Sequence, residues 1–437
     1  MYLTTMTHRD ELFDTTMRWL NDDIAPEDGE TITRIFLYES AVSAVVVDWI
    51  IAWLDSLFSG PLGIERIRQK QVLRRRLIQY LPSQSPRIRQ LIRQFEDNPE
   101  YFFPRLPIDA LLVTTSDSQL AAIGRIKRLT RVAEKVSFRL VDALFKEIQA
   151  EARQQAGQRA AAAGVLLSDL LSSDQEMQTD FAAAEAEVAR RFRSRKVFLS
   201  RESMIVNDLV GFKMVGDPEF LEQVPGLLDR EPGMTLVETE KHTGNYNAVN
   251  LLVEIDLPAP DELARHLKGF DWSIARQRGL DPAAAKQGLM DYLTRGADTV
   301  RIEIILTTYD ELMESEFGRS MHELRVLRLR HRQTYSGPIA QNAAYLIEYM
   351  LALAASPTVE VKELPIKMYG RYLPETIAST KSALFGKELD GGLLDAFSMK
   401  LGGLDRLRPA RSSAGSKNIN IPANGFSSPP KETQEKP

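Results

Sequence analysis

The chain has 437 residues, with 55 Lys and Arg against 60 Asp and Glu, a formal net charge of −5, five histidines and no cysteine. That length has room for two or three domains with cores of their own, and the near-balanced charge argues against a whole-chain nucleic-acid coat. The missing cysteine excludes disulfides, thiolate zinc sites, iron–sulfur clusters and a thiol nucleophile, and five scattered histidines leave little for a His-built metal centre.

The first residues, Met1-Tyr2-Leu3-Thr4-Thr5, lack a basic segment followed by an apolar run, so no export signal is read there and cytoplasmic residence is the expectation. Residues 7–80 carry apolar side chains at three-and-four spacing, which predicts helices punctuated by Pro26, Pro61 and Pro82. The most apolar stretch, 41–58, contains Asp48 and Asp55. A carboxylate at the centre of a bilayer costs about 2.5–3.5 kcal/mol, so two of them favour a buried or oligomer-forming helix over a membrane span. A basic stretch follows: Arg66, Arg68, Lys70, Arg74, Arg75, Arg76, Arg87, Arg89 and Arg93. It reads as a solvated helix face or as a patch for an anionic partner such as phosphate, RNA or a lipid headgroup.

Residues 98–118 form a Pro-containing connector with a short apolar run, Leu111-Leu112-Val113, and 120–163 is predicted helical, with Ile126, Leu129, Val132, Val136, Leu140 and Leu144 on one face. After a hinge, 181–193 is helical again. Residues 1–189 are thus expected to be all-α, divided into a helical region 1–98 and a connector with long amphipathic helices 99–189. The texture then changes. Residues 206–215 predict a strand, and Asp217-Pro218 opens a helix to residue 228. Residues 234–243 and 248–257 alternate like paired strands around the turn Gly244-Asn245. A helical insertion, 260–295, precedes a strand over 299–308 and a long helix over 309–332. Phe270 and Trp272 in the insertion would serve as part of a lid or as a small packing cluster. The fold class expected overall is α+β, an all-α amino-terminal half followed by a small mixed sheet over 190–335 with flanking helices. C-terminal helices over 336–404, with 359–361 as a short strand, and a disordered tail over 405–437 complete the chain.

Three groups of residues could carry chemistry. Asp208 lies in one apolar strand and Glu303 in another, where a lone acid costs desolvation energy unless it is partnered. On neighbouring strands the two could share one Mg²⁺, which takes oxygen ligands and completes its octahedron with water and phosphate. Alternatively, Glu303 pairs with a cation across an exposed face. Tyr246 follows a Gly-Asn turn, where its ring either packs at a strand edge or stacks on a nucleobase. The basic cluster Arg190, Arg191, Arg193, Arg195 and Lys196 would face a nucleotide polyphosphate, or else sit as solvated charge at a helix C-terminus.

The order of these elements, a basic cluster, D-L-V-G-F-K from Asp208, a G-N-Y turn, R-I-E-I-I-L-T-T from Arg301 and an acidic helix with Glu314 and Glu316, resembles the synthetase domain of the RelA/SpoT family. That resemblance implies a nucleotidyltransferase-like fold and transfer of pyrophosphate from ATP to GDP or GTP, giving (p)ppGpp. It implies Asp208 and Glu303 as metal-binding and catalytic carboxylates on Mg²⁺, with Glu303 also activating the acceptor hydroxyl. Tyr246 would stack on the acceptor guanine, Lys213 would replace the family's arginine, and Arg193, Arg195 and Lys196 would form the phosphate segment. The family's asparagine-glycine pair reads Gly244-Asn245, its closing histidine reads Asn250, and its Q-I-R reads Ile305-Leu306-Thr307. These changes remove phosphate-binding groups and give the alternative of an inactive synthetase-like module that senses nucleotides or acts as a scaffold. No His-Asp dipeptide occurs, so the family's manganese hydrolase half is not expected.

Overall fold

The computed structural model describes residues 1–58, 60–80, 85–170, 173–331 and 335–385. The expected tail, 405–437, and the end of the C-terminal helical region lie outside these residues. In chain order the strands are β1 (Tyr2–Leu3), β2 (Gly63–Gln69), β3 (Pro107–Thr114), β4 (Leu120–Ile126), β5 (Ile205–Val206), β6 (Val210–Val215), β7 (Met234–His242), β8 (Ala248–Asp256) and β9 (Thr299–Thr307). The helices are α1 (Arg9–Leu20), α2 (Asp28–Leu57), α3 (Lys70–Gln79), α4 (Pro86–Asp97), α5 (Leu129–Ala162), α6 (Asp174–Arg193), α7 (Pro218–Leu228), α8 (Pro260–His266), α9 (Ile274–Gln277), α10 (Pro282–Arg295), α11 (Tyr309–Phe317), α12 (His322–His331), α13 (Pro338–Ala355) and α14 (Pro374–Phe385).

Seven strands form one sheet in the order β2-β3-β4-β6-β9-β8-β7. Every neighbouring pair is antiparallel except β6 and β9, which run parallel with Gly211 opposite Glu303 and Lys213 opposite Ile305. The expectation of an all-α first half is therefore corrected: β2, β3 and β4 belong to the same sheet as β6 to β9. The reason is burial. Ala110 to Val113 of β3 and Leu120 to Ile123 of β4 are at most 1% exposed, so both faces are apolar and no period-two alternation marks them as strands.

One face of the sheet, with Leu111, Val113, Ala122, Phe212, Met214, Ile302, Ile304, Leu251 and Val253, packs into the main core together with α2, α5 and α13. α2 is long and apolar enough to cross a membrane, and 89% of its apolar window is buried inside the protein. Its internal acid Glu39 is fully buried, accepting hydrogen bonds from Thr7 N (2.7 Å), His8 N (3.0 Å) and Tyr292 Oη (2.8 Å). This one carboxylate joins the N-terminal segment, α2 and α10. Trp272 of the insertion packs edge-on against Tyr38 at 5.7 Å, so it belongs to a packing cluster on α2.

The strand expected over 206–215 is split into β5 and β6, and Asn207 to Leu209 form the bend between them. The single helix expected over 309–332 is broken at Gly318, where Glu314 curls back to accept from Arg319 N at 2.9 Å. Residues 359–361 form no strand. α7, by contrast, begins as its sequence requires: Asp217 Oδ1 accepts from Phe220 N at 2.8 Å, with Pro218 in the first turn.

Candidate functional site

By the period-two rule, the sheet face opposite the main core presents Arg125 from β4, Gly211 and Lys213 from β6, Glu303 and Ile305 from β9, and Asn250 from β8. They line a cleft of two adjoining lobes, about 570 Å³ and 800 Å³, that share Arg131, Lys135, Asp208, Asn250 and Glu303. The smaller lobe is lined by eight Lys and Arg against six Asp and Glu. In the larger lobe the balance reverses, with three cations against six carboxylates. Tyr246, from the β7–β8 turn, and Arg325, from α12, close the basic lobe.

Asp208 sits just ahead of β6, where Lys127 and Lys135 both reach its Oδ2. The Lys127 ammonium is 2.7 Å away and also donates to the Asp208 carbonyl, and the Lys135 ammonium makes a shorter contact. Burial alone would raise the Asp208 carboxyl, but these two ammonium groups more than offset it and hold its pKa well below the usual carboxylate range. Burial in turn draws Lys127 down to about 8, with Asp208 opposing the fall. Glu303 accepts from Asn250 Nδ2 at 3.2 Å. Its pKa is raised, first by burial and then by the Asp208 charge. The oxygen of that amide, Asn250 Oδ1, is buried and accepts no hydrogen bond from the described residues.

One wall of the smaller lobe is a largely buried ion network. Lys70 Nζ is 2.7 Å from Glu316 Oε2 and 3.0 Å from Glu323 Oε1. Arg74 Nη2 is 3.1 Å from Glu323 Oε2, and Arg125 pairs with Glu316 Oε1. Lys213 is 8% exposed beside this network and donates to Ser315 Oγ at 3.4 Å. Burial, reinforced by Arg125 and opposed by Glu316, brings its pKa down to about 7. Tyr246 carries the Arg325 guanidinium over its ring at 4.1 Å, so one stacking face is already covered.

Asp208, Glu303, Lys213, Tyr246 and Asn250 line one cleft. The basic cluster does not reach it. Arg193 lies over the Tyr369 ring at 5.0 Å, Arg195 pairs with Asp23 at 3.1 Å, and Lys196 is exposed. The stretch from Arg66 to Arg93 is divided: Arg75, Arg89 and Arg93 are exposed, while others are paired or buried. Arg66 makes a bidentate pair with Asp109 (2.9 and 2.7 Å), Arg76 pairs with Glu65 and Arg87 with Glu314, while Lys70 and Arg74 are buried. Sequence reasoning missed Lys127, Arg131 and Lys135. Only Arg131 and Lys135 share a helix face, four residues apart on α5, and that spacing does not reveal Asp208 as their neighbour.

The donor set fits a divalent cation poorly. A cation at Asp208 would have to compete with two ammonium groups for Oδ2. Among the described residues no group of three or more His, Cys, Asp and Glu could hold a metal ion.

No protein-family profile and no curated protein sequence matches the chain. Among solved structures it has a remote likeness to the small alarmone synthetase 1 from Bacillus subtilis, at 14% identity, a TM-score of 0.19 and coverage of 39% of this chain and 69% of that one. The same synthetase bound to its product pppGpp gives 13% identity, a TM-score of 0.18 and coverage of 40% and 69%. At such values the likeness says nothing of what this chain binds or does.

Proposed function

We propose that the cleft binds a nucleotide, with its polyphosphate in the basic lobe and a ribose hydroxyl donating to Asn250 Oδ1. The observation that carries this reading is the convergence of Arg125, Lys127, Lys135 and Lys213 on one cleft beside that unpartnered acceptor. Fixed ammonium and guanidinium groups on a rigid sheet suit a compact polyanion, and a buried acceptor left without a donor costs free energy that a ligand hydroxyl would recover. The RelA/SpoT resemblance makes ATP and the guanine nucleotides the first candidates. Thermal unfolding of the full chain with guanosine, GDP, GTP and ATP tests it. The melting temperature should rise with the number of phosphates, and no rise at millimolar nucleotide would refute it.

A second reading, pyrophosphoryl transfer to a nucleotide or RNA hydroxyl, is favoured by Glu303, whose carboxyl binds a proton more tightly than usual at the meeting point of the two lobes. Labelled ATP incubated with GDP, GTP or tRNA would give labelled product from wild type and none from Glu303→Ala. The neutralisation of Asp208 by two lysines favours binding over transfer.

A further inference from the structure

We infer that the cleft takes its polyphosphate without a divalent metal, with the ammonium groups of Lys127 and Lys135 supplying the positive charge that a metal would bring. This rests on the nucleotide-binding reading and names the form of ligand that the site selects: a diphosphate or triphosphate not wrapped around Mg²⁺. At Asp208 two ammonium groups meet one carboxylate, with Glu303 the next carboxyl group near them. Lys127 is held in place by a second contact to the Asp208 carbonyl, and its backbone N donates to Leu209 O at 2.8 Å. It is therefore a fixed cation on the cleft wall, while Lys135, one-third exposed, can turn its remaining donors to a ligand. Asp208 acts here as the residue that positions two lysines, where the family resemblance makes it a metal ligand.

The two roles predict opposite effects for one substitution. A metal-ligating Asp208 replaced by Asn would lose nucleotide binding in Mg²⁺. An Asp208 that only holds Lys127 and Lys135 would, when replaced by Asn, leave the two cations without that carboxylate and strengthen anion binding. Calorimetric titration of the full chain with pyrophosphate and with ATP, each in EDTA and in Mg²⁺, separates them. The expected result is binding in EDTA at least as tight as in Mg²⁺, a loss of about tenfold in Lys127→Met and in Lys135→Met, and a several-fold gain in Asp208→Asn. Circular dichroism and thermal unfolding show which variants fold. Should either lysine variant fail to fold, the wild-type comparison of EDTA with Mg²⁺ and the direction of change in Asp208→Asn still decide the question. Wild-type binding that appears only with Mg²⁺ and disappears in Asp208→Asn would overturn the metal-free site and leave nucleotide binding standing. An absence of binding under both conditions would overturn both.

Discussion

Replacing Lys213 by methionine removes a charge from a site that holds it at considerable cost. The side chain is 8% exposed, it donates to Ser315 Oγ at 3.4 Å, and Arg125 and Lys70 add repulsion that Glu316 only partly offsets. A fall in pKa from 10.5 to about 7 corresponds by proton linkage to about 5 kcal/mol between the fully charged and fully neutral ends of the titration. The sign follows from which state holds the proton. Between pH 7 and pH 10.5 the unfolded chain keeps the Lys213 proton and the folded chain has released it, so folding stability rises with pH across that window, by at most about 1.4 kcal/mol per pH unit. Lys127, lowered to about 8, tilts the curve the same way, and comparing Lys213→Met with wild type cancels its share. Urea denaturation at pH 6, 7, 8 and 9 should find the variant more stable than wild type by a few kcal/mol at pH 6, an advantage that shrinks by about 1 kcal/mol per unit above pH 7. A difference that stays constant over these four pH values would show that Lys213 is not held as a desolvated cation, and the reasoning would fail.

Three further outcomes are expected. Glu316→Gln should cost about 3–5 kcal/mol in chemical denaturation, because it leaves buried Lys70 with Glu323 alone and Arg125 without its partner; a loss below about 1 kcal/mol would contradict the network. Gly124→Ala should cost about 1–3 kcal/mol, since its Cβ would stand 2.9 Å from Phe212 Cε1 and 3.3 Å from Leu111 Cβ; a neutral result would mean that the β3-β4-β6 register is looser than described. Pyrophosphate binding at pH 8 should take up protons, because an anion beside Lys213 raises its pKa from about 7, and titrations in buffers of different ionisation enthalpy should reveal the uptake as a buffer-dependent heat.

The legible part of the fold was the part with one wet face. β8 and β9 alternate because Asn250, Glu303 and Ile305 look into the cleft while Leu251, Ile302 and Ile304 enter the core, and Glu303 stood out as an acid within that apolar pattern. β4 shows the opposite case: with Leu120 to Ile123 buried, its sequence is as consistent with a helix as with a strand, and Gly124, tight against Phe212, was its one local mark. The charged residues were misjudged for a related reason. Arg and Lys were read as solvent-facing, yet Lys70 and Arg74 are buried because Glu316 and Glu323, about 240 residues later in the chain, meet them there. Sequence spacing carries no sign of such a distant partner. The same holds for Lys127 and Lys135, whose role depends on Asp208 arriving from beyond α6.

The packing of α2 against α13 bears on how the chain is made. α2 ends at Leu57 and α13 begins at Pro338, so the ribosome finishes an apolar helix of 30 residues long before its cover exists. At synthesis rates of about 5–20 residues per second, that delay is on the order of tens of seconds. During it, valine- and tryptophan-rich surface must be shielded by transient contacts or by a chaperone. Slower translation of the second half should therefore lower the soluble yield more than the same slowing placed before α2.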